Sequence, residues 1–345
     1  MNDCSSGFVC CSPSSELVEE VERARVNRPY GTIVAATGKT AIMKENIAPV
    51  LSADRIDQND IANNLTENTK ESGAKENFDI AEIMGGLYGD GIIGYKNAFS
   101  REWVQQLHED VLRLYEEALQ RPGGAVGRGP KRHYVEIHPE DIHGFIDLVT
   151  HPWVVAVCEA VLGPEYKVVE IGFDVPNPGA KDQPWHRDFP APGDTIKGRR
   201  LNSLAFNLTT IDVYEDMGPF VIAPGTQWDL PDGFEHGMFP LKSLYERYEK
   251  RAQRKMPKMG DISARSALTI HRGTANYSNK SRPALVLGVD APGAINAERH
   301  DLQITKKFFE TLPEYVRQHL TYRLVDNLEP IIQAHSIEGL MMGEA

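Results

Sequence analysis

Residues 201–213 read LNSLAFNLTTIDV, an apolar run rich in β-branched and aromatic residues. Four more short runs of this kind follow or precede it: Tyr166–Phe173, Phe220–Ala223, Ala267–His271 and Ala284–Val289. Gly, Pro, Asn and Asp punctuate the intervals, the pattern of strands joined by turns. Upstream the period is helical. Ser100 is a candidate N-cap, and apolar residues recur at Val104, Leu107, Val111, Leu114, Tyr115 and Ala118 until Arg121-Pro122-Gly123-Gly124 ends the pattern. A second helix fits Trp153–Leu162, stopped by Gly163-Pro164. Helices first and strands afterwards predict an α+β protein, mainly β in its core, built as an antiparallel sandwich or barrel. A charged helical insert, Leu241–Lys255, interrupts the strands, and a last helix is expected over Thr305–Leu324.

Residues 1–77 differ in kind. They are rich in Asn, Asp, Glu and Ser and contain only two aromatic residues, Phe8 and Tyr30. They read as an N-terminal extension, partly ordered, with a helix over Ser15–Val26 and a short strand over Thr32–Ala36. Tyr30–Met43 is its most apolar stretch and is expected to dock on the following domain. Ala36-Thr37-Gly38-Lys39-Thr40 ends like a phosphate-binding loop, but position 33 is Ile where that loop needs Gly, so nucleotide binding is not expected. The organisation read from the sequence is therefore extension 1–77, folded domain 78–325 and C-terminal tail 326–345.

The 345 residues are 41% hydrophobic and 25% charged, enough for the core of one large domain or two smaller ones. A net charge of −12 with no long Lys/Arg block argues against nucleic acid as a partner. One or two placed arginines would still bind an acidic small molecule. The four cysteines, Cys4, Cys10, Cys11 and Cys158, lack the spacing of a zinc site or a disulfide framework, and read as free thiols in a reducing cytosol. No secretory leader and no run near the ~20 apolar residues of a membrane span is legible, so a cytoplasmic protein is expected.

The chemistry centres on Gln183-Pro184-Trp185-His186-Arg187-Asp188. In an extended strand His186 and Asp188 would point to one face, an imidazole beside a carboxylate. One more imidazole would complete a facial triad, which leaves three positions of an octahedron open for Fe(II) oxygen chemistry. His271 supplies a candidate, since it ends the apolar run Ser266–Ile270, which reads as a buried strand delivering its last residue to a cavity. Arg282 opens the next strand, where a strand–turn–strand path would return it near His271 as a carboxylate ligand.

These four positions resemble the phytanoyl-CoA dioxygenase family of Fe(II)/2-oxoglutarate oxygenases. The segment Met217-Gly218-Pro219-Phe220 through Ala223-Pro224-Gly225-Thr226-Gln227 is similar to a family block, with Met217, Thr226 and Gln227 as departures. Gly260-Asp261 precedes the distal histidine as in relatives, and Ile80–Asn97 resembles the family's opening. The resemblance implies a double-stranded β-helix, a jelly-roll or cupin-like barrel with flanking helices. It implies iron on His186, Asp188 and His271, with Arg282 gripping the far carboxylate of 2-oxoglutarate. O₂ is the oxidant, ascorbate a supporting reductant, and the expected outcome is hydroxylation of a small molecule with release of succinate and CO₂. Desaturation or ring formation at the same iron, or a catalytically silent metal-binding barrel, are the alternatives; a halogenase is disfavoured because Asp188 is present. A monomer or homodimer is expected.

Other residues carry weaker expectations. Asn207 and Thr274 are candidates for hydrogen bonds to the cosubstrate, and Trp185, Lys197 and Arg199 for contacts with the substrate. His133, His138, His143 and His151 cluster in sequence but have polar flanks, which predicts loop and surface roles.

Overall fold

The computed structural model describes residues 78–294 and 300–332. The expected helix over Ser15–Val26, the strand over Thr32–Ala36 and the docking of Tyr30–Met43 lie outside them. Helix α1 (Ile80–Gly85) runs through a π-helical turn into β1 (Ile92–Tyr95), followed by α2 (Arg101–Leu119), β2 (Val126–Gly127) and β3 (Arg132–Glu136). Two helices in series, α3 (Phe145–Thr150) and α4 (Pro152–Leu162), lead into the long strand β4 (Lys167–Pro176). Then come α5 (Gly193–Gly198), β5 (Ser203–Thr209), β6 (Phe220–Ile222), α6 (Tyr245–Glu249), β7 (Gln253–Lys255), β8 (Ile262–Ser266), β9 (His271–Gly273) and β10 (Ala284–Asp290). The described chain closes with β11 (Gln303–Thr305), α7 (Lys306–Thr311), α8 (Glu314–His319) and β12 (Arg323–Val325).

The strands form a seven-stranded sheet in the order β1-β8-β5-β10-β4-β3-β2 and a three-stranded sheet, β7-β6-β9. Every pairing in both is antiparallel. This is the expected antiparallel core with flanking helices, built as two open sheets rather than a closed barrel.

The large sheet has two unlike faces because side chains alternate along each strand. Leu204, Phe206 and Leu208 of β5 and Leu285, Leu287 and Val289 of β10 join one apolar core. Val104, Leu107 and Val111 of α2 and Val154, Val157 and Cys158 of α4 join the same core. Burying each such side chain contributes about 1.5–3 kcal/mol. The helix ends agree with the sequence: the Ser100 hydroxyl accepts from the Trp103 amide at 3.2 Å, and Gly163, with φ 90°, follows α4.

Three expected elements differ. Ala267–Ile270 is a turn that carries the chain from β8 in the large sheet to β9 in the small one, not a strand. Its apolar residues are buried in that crossing, where the Ile270 amide donates to the Thr226 hydroxyl at 2.9 Å. The insert Leu241–Lys255 is only partly helical, because Gln253–Lys255 leaves it to pair with β6. The last helix is two short helices and a strand; Pro313 lacks the amide a continuous helix would need and instead precedes α8. The histidine expectation is also corrected: His138 is buried, His151 caps the Trp153 amide, and His133 lies on β3 against the Tyr115 hydroxyl at 2.6 Å. Only His143 of the four is exposed. No helix among the described residues is long and apolar enough to cross a membrane.

Candidate metal centre

The second face of the large sheet and the inner face of the small one line a cavity of about 300 Å³. His186 and His271 stand opposite each other on an antiparallel bridge that joins the 183–188 segment to the start of β9. Their amides and carbonyls exchange two bonds: His186 N to His271 O at 3.0 Å, and His271 N to His186 O at 2.9 Å. The 183–188 segment is therefore an isolated bridge with separate backbone bonds on either side of it, not the regular strand expected for it. Asp188 is fixed separately, its amide donating to the Ala267 carbonyl at 3.0 Å.

The ring orientations follow from backbone carbonyls. His186 Nδ1–H donates to Pro184 O and His271 Nδ1–H to Thr269 O, both at 2.8 Å. A carbonyl only accepts, so each Nδ1 carries the proton and each Nε2 keeps a lone pair. Such a second bond is how a metal-binding imidazole is usually oriented. One ligand atom from each of His186, Asp188 and His271 lies within 4.8 Å of the others. Two neutral imidazole nitrogens and one carboxylate oxygen on a cavity wall fit a divalent iron with open positions.

The protonation states agree. Burial, with His271 beside it, pushes the His186 imidazole down to about 3, and burial followed by Arg265 lowers His271 too. Burial alone would raise the Asp188 carboxyl, but Arg265 and His271 outweigh it and hold it below the usual carboxylate range. At neutral pH the set is two neutral rings and a carboxylate, the form a metal requires.

Arg282 lines the same cavity from just before β10 of the large sheet, whereas His271 opens β9 of the small one. Burial lowers its pKa to about 10 and Asp174 works against that, so it remains a cation at neutral pH. Its Nη2 is 3.8 Å from Asp174 Oδ2, and Arg132 Nη1 donates to the same oxygen at 2.9 Å. The Nε atoms of Arg132 and Arg282 are buried without a hydrogen-bond partner. Arg132 reaches this place by crossing close over β9: a Cβ on Gly273 would sit 2.2 Å from Arg132 Nη1.

Of the remaining candidates, Asn207 lines the cavity and the others do not. The Thr274 hydroxyl donates to Pro219 O at 2.7 Å. Trp185 is fully buried, its indole N–H donating to Glu249 at 3.1 Å. Lys197 and Arg199 are exposed. Sequence reading missed Arg132, Arg265 and Asp174. It also missed a second group on the cavity wall, Glu136, Glu170 and His300, whose ligand-type atoms lie within 4.8 Å of one another. Tyr134 donates its phenol proton to Glu170 at 2.5 Å. The signal for all of them but His300, which lies outside the strands, is a charge inside a strand-like run, as in RHYVE (132–136) and ISARS (262–266).

The donor set fits iron, and family membership makes the chain an oxidoreductase of the Fe(II)- and 2-oxoglutarate-dependent type, with O₂ as the further reactant. A family model described as phytanoyl-CoA dioxygenase (PhyH) matches residues 87–284, more than half of the chain, and the chain belongs to that family. The fold is similar to the crystal structure of the epimerase SnoN in complex with Fe3+, alpha ketoglutarate and nogalamycin RO, at 16% identity and a TM-score of 0.51 over 61% of this chain and 83% of that one. The non-heme alpha ketoglutarate dependent carbocyclase SnoK from nogalamycin biosynthesis is also similar, at 20% identity and a TM-score of 0.49 over 66% of this chain and 92% of that one. No curated protein sequence matches.

Proposed function

We propose that the protein hydroxylates an unactivated C–H bond of a small molecule, with decarboxylation of 2-oxoglutarate to succinate and CO₂. The observation that carries this reading is the convergence of His186, Asp188 and His271 within 4.8 Å in a cavity that also receives Arg282. Iron held there would supply activation of O₂. The chain's own residues supply position. The Pro184 and Thr269 carbonyls fix both rings through Nδ1, and His271 Nε2 lies 3.3 Å from Asp188 Oδ1. Arg282 binds the far carboxylate of the cosubstrate, a buried guanidinium whose fork suits it, and Asn207 borders the path between. A cavity of about 300 Å³ suits a small-molecule substrate.

The oxygenase domain in this reading is 78–325, with 1–77 and 326–345 outside the chemistry; the protein works in the cytoplasm as a monomer or homodimer, with ascorbate keeping the iron reduced. The test is succinate formation from 2-oxoglutarate with Fe(II) and ascorbate, in the wild type and in His186→Ala, Asp188→Ala and His271→Ala. Loss of turnover in all three, with the fold retained, is expected. Wild-type activity in all three would end the assignment.

A further inference from the structure

The carboxylate of Asp188 already has a partner in the cavity. Arg265 Nη1 donates to Asp188 Oδ2 at 2.5 Å and Nη2 to Oδ1 at 3.2 Å, a two-point fork. The other neighbour is His271, whose Nε2 lies 3.3 Å from Oδ1. The two oxygens are thus unequal: Oδ2 is held closely by the guanidinium, while Oδ1 is held weakly by it and faces the imidazole. Arg265 itself has little freedom. Its side chain is 7% exposed, and it stands on β8 between β1 and β5, opposite Ile92 and Ala205. Its Cζ lies 5.6 Å from the centroid of Phe220, the same ring that packs 5.2 Å from the ring of His271. An arginine buried in this way is anchored by its ion pair and its aromatic contact.

A carboxylate can give a metal one oxygen or two. If Asp188 gave two, one of the three positions that a facial triad leaves open would close. We propose that Arg265 is a positioning residue for the metal ligand: by occupying Oδ2 it leaves Oδ1 as the single oxygen Asp188 offers. The inference rests on the reading of His186, Asp188 and His271 as the metal site. It has a second consequence. The guanidinium offsets the carboxylate, so the ligand set and its neighbour carry no net charge, and a dication binds against a nearby positive charge.

Both consequences can be read without turnover, on Mn(II)-loaded full-length protein. The readouts are Mn(II) affinity by titration and water-proton relaxation, which reports the exchangeable waters on the ion. Arg265→Leu and Arg265→Met remove the hold and the charge, and the methionine, closer in shape, is carried alongside in case leucine does not fold. Arg265→Lys keeps the charge and one donor. For the apolar variants the water contribution should fall by about a third, from about three open positions to about two. Their Mn(II) affinity should rise at least tenfold, since like charges repel strongly in a shielded cavity. The lysine variant should restore both values toward wild type, which loss of packing alone would not explain. A folded Leu or Met variant with wild-type relaxation and affinity would show Arg265 to be a bystander while leaving the metal site standing. A wild type that binds no Mn(II) would overturn both the inference and the reading beneath it.

Discussion

Along β10, Leu285, Leu287 and Val289 enter the helix-covered core, while Ala284, Val286, Gly288 and Asp290 line the cavity. β5 divides in the same way, with Phe206 in the core and Asn207 in the cavity. One backbone thus serves two media. On the core face each residue is closely packed and its value is stability. On the cavity face charges are paired across strands, Arg132 with Asp174 and Arg265 with Asp188, and their value is the placing of groups. Buried ion pairs contribute little net stability against an apolar replacement, so a fold keeps them where position matters.

The sharpest way to break this comparison is a pair of neighbours on β5. Phe206→Ala empties a core site and should cost about 3–5 kcal/mol in denaturant unfolding. Asn207→Ala should cost about 1 kcal/mol or less and act instead on cosubstrate affinity. Equal losses of stability would show that the two faces are not distinct. Next in size, Arg282→Leu removes one partner of a desolvated charge pair, worth about 2–5 kcal/mol, so the KM for 2-oxoglutarate should rise more than about tenfold. An unchanged KM would place the anchor elsewhere, with Arg132 the first residue to examine.

Acid sharpens the comparison from the cavity side. The His186 pKa is about 3 in the fold, below the ordinary value of about 6.5 in an unfolded chain. Because the folded value is the lower one, stability is complete above about 6.5 and is lost as pH falls toward 3. His271 shifts in the same direction, and the lowered Asp188 carboxyl adds its own loss below the usual carboxylate range. The metal-free protein should therefore lose Tm steadily from pH 7 to pH 4, and His186→Ala should reduce that slope; identical slopes would contradict the assignment. The smallest effect is expected at Thr274. Thr274→Val removes the hydroxyl that donates to Pro219 O and should cost about 1 kcal/mol of stability, with no change in the cosubstrate KM.

What could be read from the sequence and what could not separate along the same line. The helix over Arg101–Leu119 and the strands around Leu204 and Leu285 were legible because burial against a core imposes a period. That His186, Asp188, His271 and Arg282 meet at one cavity was legible because their spacing and order resemble those of the family. Arg265 and Arg132 were not, since their partners Asp188 and Asp174 lie far from them in the sequence and no local pattern announces the pairing. The turn at Ala267–Ile270 was misread because a buried crossing between two sheets is as apolar as a buried strand. Pro313 is a stop visible in the sequence, and it divides Thr305–Leu324 between two short helices.

Everything proposed for the chemistry depends on an iron site at His186, Asp188 and His271 in a cavity that 2-oxoglutarate reaches. The most direct test of that site is the visible charge-transfer absorption that develops when Fe(II) and 2-oxoglutarate bind together in the absence of O₂. The wild type should show it, with each of the three alanine variants losing it and Arg282→Leu requiring much more 2-oxoglutarate to reach it. The same absorption at the same concentrations in all four variants would contradict the account.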